Sequence, residues 1–327
     1  MERKVLSKMV SGLFKGPEED SFVSTQKIKR DLALEGQVTP VFKSPLVKPQ
    51  SLNDYVTRAE ARRESMKDAS QISDNQVEVT LPEESTINFM GDLHFGNPNT
   101  DNKRIQQEVE VIKNTPNSFV VLMGDLVDGI FWGGASQSEQ NQTMGEQYGF
   151  LRTLFRELKD KIITGVSGEH DSKWASKSGS DPYDIMTAET GAPYVRGVAE
   201  IGINVGDWLY KLVASHKARG HSMYNKNHPT YRESRFHLQG GDIYASAHNH
   251  QKQVSQEVLR DFGGETREVT HVAIGPYKSK DEYGDRGGFP QQKDGEMYGA
   301  SVRLHKDRKK VDVEKDILEA VKRWSQE

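Results

Sequence analysis

Residues 87–96 read INFMGDLHFG, a short apolar run that stops at Gly91 and is followed at once by Asp92 and His94. The run predicts a strand over Ile87–Met90. Asp92 and His94 are two residues apart, so in an extended segment both side chains point to the same side of the chain. An Asp-x-His pair often arises by chance. The pair is evidence for a functional site only if other strands end in the same way.

Four more apolar runs are followed directly by carboxylate or imidazole side chains. They are residues 119–129 (FVVLMGDLVDG, with Asp125 and Asp128), 162–171 (IITGVSGEHD, with Glu169, His170 and Asp171), 209–216 (LYKLVASH, with His216) and 243–250 (IYASAHNH, with His248 and His250). Taken singly, such an Asp often caps the next segment. Ligands of α/β sheets, however, lie beyond the carboxyl ends of the strands. Carboxylate and imidazole suit Mn²⁺, Fe and Zn²⁺, so the five clusters together indicate a metal site.

The composition removes several other classes of site. The 327 residues include no Cys, which excludes disulfides, thiolate zinc sites and cysteine nucleophiles. The net charge of −4 predicts no strong overall attraction to nucleic acid. No apolar run approaches the roughly 18 residues that a membrane-spanning helix needs, and the N-terminus lacks the apolar core of a signal peptide. We therefore expect an intracellular, cytoplasmic protein without a membrane partner, with a virion or a phage-infected host as the alternative setting.

The chain divides into two predicted regions. Residues 1–75 form a polar, extended N-terminal arm with a short helix over about 53–67, in which Pro40, Pro45 and Pro49 favour extended backbone. This arm is either a disordered tail or a segment that docks on another subunit or protein partner. Residues 76–327 have the pattern of an α/β domain.

Apolar runs predict the strands of that domain, and helical spacing predicts its helices. The predicted strands are Val77–Leu81, Ile87–Met90, Phe119–Met123, Ile162–Val166, Trp208–Ala214, Ile243–Ala247, Val269–Ile274 and Tyr298–Leu304. Helical faces are predicted for Ile105, Val109 and Ile112; for Leu151, Leu154, Phe155 and Leu158; and for Val313, Ile317, Val321 and Trp324.

The order D-x-H, GD-x-x-D, GEH-D, H and H-x-H across residues 87–251 resembles that of the calcineurin-like metallophosphoesterases, whose third and last motifs are usually GNH-[DE] and GH-x-H. It is similar in particular to the order in DNA-processing and phage-encoded members. The resemblance implies an α/β fold: a sandwich of two mixed β-sheets flanked by helices. It also implies a centre of two divalent metal ions at the sheet edge, most readily Mn²⁺, with Fe or Zn²⁺ as alternatives.

The resemblance also implies a role for each matching residue. One ion is expected on Asp92, His94 and His250, with Asp125 bridging to a second ion on Glu169, His216 and His248. His170 is expected to protonate the leaving group or stabilise the transition state, while Asp171 and Asp128 orient the ligands. His216 is preferred over His221, His228 and His237 because it directly follows an apolar strand.

Two positions depart from the family pattern. Glu169 stands where a metal-binding Asn is usual, so a neutral amide is replaced by a carboxylate, which leaves less net positive charge to attract a phosphate. Ala247 stands where Gly usually precedes the histidine, a small steric change from which little is expected.

The expected function is hydrolysis of a phosphodiester, including nucleic acid as a substrate, by a metal-bridging hydroxide. Hydrolysis of a phosphomonoester or a phosphoprotein is the alternative within enzymes. A catalytically silent component of a larger, including viral, assembly is the alternative outside them. In the stretch 217–237, basic and aromatic residues such as Arg219, Arg232, Tyr224 and Tyr231 suit either a phosphate backbone or a solvated loop, and the solvated loop is favoured slightly.

Overall fold

The structure is a computed structural model that describes residues 51–69, 75–81, 83–129, 140–220, 222, 224–260, 263–279 and 294–324. The chain divides into two units, Met1–Ile72 and Ser73–Glu327. In the first unit a helix, α1, spans Leu52–Ala69. The predicted extended segment before it lies outside the described residues, so its docking on a partner stays a prediction.

The second unit alternates strands with helices. Its strands are β1 Gln76–Leu81, β2 Ser85–Met90, β3 Ser118–Leu122, β4 Ile162–Val166, β5 Tyr194–Val195, β6 Val198–Val205, β7 Trp208–Ser215, β8 Ile243–Ser246, β9 Gln253–Arg260, β10 Thr266–Ala273, β11 Ala300–Leu304 and β12 Val311–Glu314. Its α-helices are α2 Asn102–Asn114, α3 Met144–Glu157, α4 Glu169–Ser178, α5 Pro182–Thr190, α6 His228–Phe236 and α7 Ile317–Trp324.

These strands form two mixed six-stranded sheets. The first sheet has the order β1-β6-β7-β8-β10-β9, with β7, β8 and β10 parallel. The second has the order β12-β11-β2-β3-β4-β5, with β2, β3, β4 and β5 parallel. The predicted α/β sandwich of two mixed sheets flanked by helices is therefore confirmed.

Two hydrophobic cores explain why the central strands are apolar on both faces. Val121 and its neighbours on the same face of the second sheet pack with residues of the first sheet. Val120 and Leu122 point the other way, into a core shared with helices α2, α3 and α5. Since successive side chains of a strand alternate between faces, a strand buried on both sides becomes a continuous apolar run.

The flanking helices begin where polar side chains satisfy their first backbone amides. The Asp101 side chain accepts a hydrogen bond from Arg104 N at the start of α2. Thr143 and Glu146 form a reciprocal capping box at the start of α3. Ile105 and Ile112 of α2 and Leu151 and Phe155 of α3 are buried, as their spacing predicts.

Three sequence predictions need correction. Val313 belongs to strand β12 and not to the C-terminal helix, which begins at Ile317. Four strands were not predicted: β5, β6, β9 and β12. Residues 228–236 of the stretch predicted as loop form helix α6, which packs on β8 and β10.

The topology brings the five ligand-bearing strand ends to one place. The neighbouring parallel strands β2, β3 and β4 of the second sheet lead into the segments that carry Asp92, Asp125 and Glu169. In the first sheet, the parallel pair β7 and β8 leads into His216 and His248. In the part of the chain that the structure describes, none of the helices has the length and apolar character needed to cross a bilayer.

Candidate metal centre

The backbone at the strand ends adopts an uncommon conformation. Five predicted ligands lie in the left-handed region, with φ values of 50° for Asp92, 47° for His94, 50° for Asp125, 69° for His248 and 52° for His250. Only two other non-glycine residues among those described do so, Asn117 and Tyr298. Such conformations cost free energy and persist where the surrounding structure imposes them, typically at functional sites. Here they turn each side chain off its strand toward a common point.

The first group of ligand-type side chains contains Asp92, His94 and His250. Asp92 and His94 are buried and His250 is half-buried. His94 Nε2 lies 3.2 Å from His250 Nε2, and Asp92 Oδ1 lies 3.7 Å from the same nitrogen. Asp92 Oδ1 is buried and has no hydrogen-bond partner among the described residues.

The second group contains Asp125, His216 and His248. Asp125 Oδ2 lies 3.3 Å from His216 Nε2, and both side chains are buried. The His216 and His248 rings meet edge to face with centroids 5.2 Å apart. His216 Nδ1 is 4.0 Å from Asp92 Oδ1 of the first group, so the two groups adjoin each other.

Hydrogen bonds fix which nitrogen of the buried imidazoles faces the centre. His216 Nδ1 donates to the carbonyl of Met123 at 2.7 Å, which leaves Nε2 facing Asp125. His94 Nδ1 lies 3.2 Å from Asp128 Oδ1, which leaves Nε2 facing His250. Partners of this kind set the tautomer and orientation of a metal-binding histidine. Asp128 thus occupies the orienting position that the sequence predicts.

Backbone amides hold one oxygen of each central aspartate. Asp92 Oδ2 accepts from His248 N at 2.9 Å, and Asp125 Oδ1 accepts from His170 N at 2.8 Å. The remaining oxygens, Asp92 Oδ1 and Asp125 Oδ2, face the imidazoles. Each carboxylate is thereby oriented with one oxygen toward the centre.

Asp171 supports this arrangement from behind. Its Oδ2 accepts from the backbone amides of Asp125 at 2.8 Å and Gly168 at 2.9 Å. Gly168 is required by close contact, because a Cβ there would lie 2.1 Å from Asp125 Oδ1. The glycine before Glu169 therefore lets Asp125 and the start of α4 approach each other.

Burial and neighbouring charges shift the pKa values of these groups. Burial raises the pKa of Asp92 to about 7, against the opposite effect of His216. Burial alone would lower the pKa of His216, but the carboxylates of Asp125 and Asp92 raise it to about 10. Burial and then Lys278 lower the pKa of His94. Because metal ligands must be deprotonated, binding of a cation at His216 is coupled to release of a proton.

His170 lies beside the first group. Its Nδ1 contacts the carbonyl oxygen of Asp128, and its ring meets that of His94 edge to face with centroids 4.8 Å apart. The half-buried ring is therefore held next to the centre with its Nδ1 already engaged.

Glu169 is placed differently from the other predicted ligands. Its Oε1 accepts from the ammonium of Lys217, and its side chain is 40% exposed. Hydrogen bonding to Lys217 lowers the pKa of Glu169. Among the described residues, Glu169 is not part of a group whose ligand atoms converge. The structure thus brings six of the seven predicted ligands together and leaves the seventh paired with a lysine at the rim.

The geometry of the two groups fits divalent cations. Two ligands bound at ~2.1 Å in a tetrahedral shell are separated by about 3.4 Å. The measured separations of 3.2, 3.7 and 3.3 Å between facing ligand atoms lie close to this value. The donors are imidazole nitrogen and carboxylate oxygen, which suit Mn²⁺, Fe and Zn²⁺.

Sequence reasoning did not find Lys217, Tyr183 or the Met123 carbonyl as parts of this site. Tyr183 donates to Asp171 Oδ2 at 3.3 Å. The sequence gives no signal for these three contacts. Those of Lys217 and Tyr183 join residues that are far apart in the sequence, and the contact of Met123 uses only its backbone carbonyl.

Where the structure describes it, the stretch 217–237 contacts other segments of the same chain. Arg235 pairs with Glu257 at 2.7 Å and lies over the Tyr231 ring, and Tyr231 stacks on His271. Tyr224 is 97% exposed. Of the three competing histidines, His228 opens α6, His237 follows it, and His221 lies outside the described residues. His216 is the one that joins the second group.

Comparisons with solved structures find similar chains at low sequence identity. The chain is similar to vacuolar protein sorting 29 from Cryptosporidium parvum, with 12% identity over 71% of this chain and 98% of that chain at a TM-score of 0.33. It is similar to the nuclease MPE from Pseudomonas putida, with 10% identity over 70% and 87% at a TM-score of 0.31. A metallophosphoesterase from Sphaerobacter thermophilus shares 14% identity over 75% and 94% at a TM-score of 0.34. No protein-family model and no curated protein match the sequence.

The class of fold follows from the molecule's own architecture. Two mixed six-stranded sheets meet with five ligand-bearing strand ends at one edge, and two buried Asp/His groups lie there side by side. The chain is an α/β sandwich of two mixed six-stranded sheets, and its two adjoining Asp/His groups form a candidate site for metal ions.

Proposed function

We propose that this chain is a dinuclear-metal phosphoesterase, and that its substrate is a phosphodiester, with nucleic acid as the first class to test. The observation that supports this most strongly is the convergence of two buried Asp/His groups, five of whose six members have left-handed backbone. A site that imposes this strain on so many adjacent ligands is built to hold cations.

Each group would hold one ion. Asp92, His94 and His250 would bind the first, and Asp125, His216 and His248 the second, with Asp125 as the ligand that the resemblance implies for both. Two adjacent divalent cations lower the pKa of a water and offset the charge that develops on a phosphate during in-line attack. The oxygen and nitrogen donors favour Mn²⁺ as the first ion to test, with Fe and Zn²⁺ as alternatives.

The protein's own residues orient these ligands and manage protons. Asp128 holds the His94 ring, and Asp171 holds the backbone of Asp125. His170 supplies a proton to the leaving oxygen as an imidazolium: its Nδ1–H donates to the Asp128 carbonyl, so the transferred proton is the one on Nε2, and the ring is left neutral.

The test combines metal analysis with hydrolysis by the full chain. We expect two Mn²⁺ per chain by elemental analysis, together with cleavage of bis-p-nitrophenyl phosphate that exceeds cleavage of p-nitrophenyl phosphate. Faster cleavage of the monoester would shift the proposal to a phosphomonoesterase or phosphoprotein phosphatase. Absence of both metal and hydrolysis would overturn it.

Glu169 favours a second candidate, a metallophosphoesterase-fold component of a larger assembly that binds metal without turnover. Its carboxylate stands where the resemblance implies a neutral amide, and a more negative ligand set makes the second ion a weaker Lewis acid. Bound metal without hydrolysis in the natural chain, together with hydrolysis in Glu169→Asn, would support this candidate over the first.

A further inference from the structure

Glu169 and Lys217 connect the two sheets next to the second ligand group. Glu169 is the first residue of α4, three positions after the last residue of β4 in the second sheet. Lys217 directly follows His216 at the end of β7 of the first sheet. Glu169 Oε1 accepts from Lys217 Nζ, across 48 positions of sequence. Lys217 is thus the sequence neighbour of the predicted ligand His216. Glu169 precedes His170, whose backbone N–H donates to the predicted ligand Asp125.

The Glu169 carboxylate lies within electrostatic reach of the second group but does not enter it. Glu169 and His248 interact electrostatically. The Glu169 and Lys217 side chains are 40% and 57% exposed, whereas Asp125 and His216 are buried. The carboxylate therefore lies at the rim, where a cation in the second group and the Lys217 ammonium would compete for it.

The competition for the Glu169 carboxylate sets the net charge of the candidate metal site. Asp92, Asp125 and Glu169 bring three negative charges to two divalent cations. The Lys217 ammonium cancels one of them, which restores the balance of a ligand set with a neutral side chain at position 169. An exposed ion pair contributes at most about 1 kcal/mol to folding, so stability alone gives this pair little importance.

We propose that Lys217 is a positioning residue that holds the Glu169 carboxylate at the rim, so that a cation bound by Asp125, His216 and His248 keeps the positive charge that attracts a phosphate. This inference rests on the proposed function and deepens it. It assigns to Lys217 the control of how strongly the second ion is bound and how well it acts on the substrate.

The test is a double-mutant cycle read by Mn²⁺ titration of the metal-free full chain in a calorimeter. Lys217→Met keeps most of the length of the side chain and removes its charge, which frees Glu169 to bind the second ion. We expect the weaker Mn²⁺ site to tighten by about fivefold or more, the factor that corresponds to ~1 kcal/mol. In a Glu169→Gln background the same change is expected to have less than half of that effect, because the carboxylate is gone.

Two further variants separate this role from a general effect of charge or structure. Lys173 is an exposed residue of the same helix that acts on Glu169 electrostatically, without a hydrogen bond between them. Lys173→Met removes an equal charge nearby and is expected to change Mn²⁺ affinity less than twofold. Lys217→Arg keeps the ion pair and is expected to retain the natural affinity. In Lys217→Met, kcat for bis-p-nitrophenyl phosphate is expected to fall while Mn²⁺ binding tightens.

The outcomes distinguish this proposal from the one on which it rests. Two bound Mn²⁺ and measurable hydrolysis, with Lys217→Met acting equally in both backgrounds or not at all, would overturn only the role of Lys217. Failure of the natural chain to bind Mn²⁺ would overturn both proposals. A tightening that appears only when Glu169 is present, and that Lys217→Arg does not produce, is the result that supports the role of Lys217.

Discussion

Two regions of this molecule bury carboxylates, and they satisfy them differently. At the strand ends, Asp92 and Asp125 face imidazoles and backbone amides from left-handed segments. In the second region, Glu108 lies in the middle of α2, where Arg104 Nε donates to it at 2.7 Å and the Tyr277 hydroxyl contacts it. Arg104 also donates to Asp316 at 2.6 Å, next to the start of α7.

The difference lies in where the compensating charge comes from. The Glu108 region includes its own cation on the same helix, one turn away, and Arg104, Glu108 and Tyr277 themselves have no left-handed backbone. The strand-end region leaves Asp92 Oδ1 without a hydrogen bond among the described residues and brings together four histidines from the ends of three strands. Buried charge is costly unless it is paired. The Glu108 region is thus complete as folded, whereas the strand-end region has the donor set of a candidate cation site.

The largest expected effect comes from Asp125→Asn. This change removes the negative charge whose free oxygen faces His216 and which we propose to bind both ions. We expect loss of bound Mn²⁺ from the second position, weakened binding at the first, and hydrolysis reduced to background. Elemental analysis and the diester assay measure this. An Asp125→Asn protein with two Mn²⁺ and natural activity would remove the distinction between the two regions.

His170→Asn is the next largest. A positioned acid contributes about 10²- to 10⁴-fold to a rate, so kcat is expected to fall by that factor while both ions stay bound. The loss should be smaller for a substrate with a p-nitrophenolate leaving group than for one with an alkyl alcohol, because the former needs less protonation. Equal losses for both substrates would argue against His170 as the proton donor.

Glu108→Gln tests the Glu108 region through the pH dependence of the free energy of unfolding. Burial raises the pKa of Glu108 to about 7 from 4.5, even though Tyr277 and Arg104 act in the opposite direction. Between these values the folded chain binds more protons than the unfolded one, so the stability that this group contributes is complete below pH 4.5 and is lost as the pH rises to about 7. The loss amounts to at most about 3 kcal/mol.

We therefore expect Glu108→Gln to gain stability relative to the natural chain as the pH rises from 4.5 to 7. Urea unfolding of both proteins at several pH values measures the difference. Glu110→Gln, an exposed change on the same helix, is the matched control. A difference that does not change with pH, or one that Glu110→Gln reproduces, would contradict the assignment.

Asp171→Asn is expected to have the smallest effect. Asp171 accepts from the amides of Asp125 and Gly168 but belongs to neither ligand group among the described residues. Changes to residues that orient metal ligands typically reduce metal affinity by about 10- to 100-fold. Mn²⁺ titration measures this. A loss as complete as that of Asp125→Asn would show that Asp171 does more than position the backbone.

Much of the fold could be predicted from the sequence because its strands are short and buried. Strands β2, β3 and β4 are apolar on both faces, so their runs are visible without any partner. β6 alternates buried with half-buried residues, and much of β9 alternates half-buried with exposed ones, with mostly polar or small side chains on the more exposed face, which weakens the signal of each. Val313 fits the spacing of the following helix, but pairing of β12 with β11 places it in a strand.

The sequence by itself determined the identity and order of the ligand-type residues, because each comes directly after an apolar strand and the ends of parallel strands meet at one edge. Only the tertiary structure decided that Glu169 pairs with Lys217 at the rim and does not enter the group. That pair joins the ends of strands from two different sheets. Such a contact depends on how the sheets pack, and no local pattern of residues encodes it.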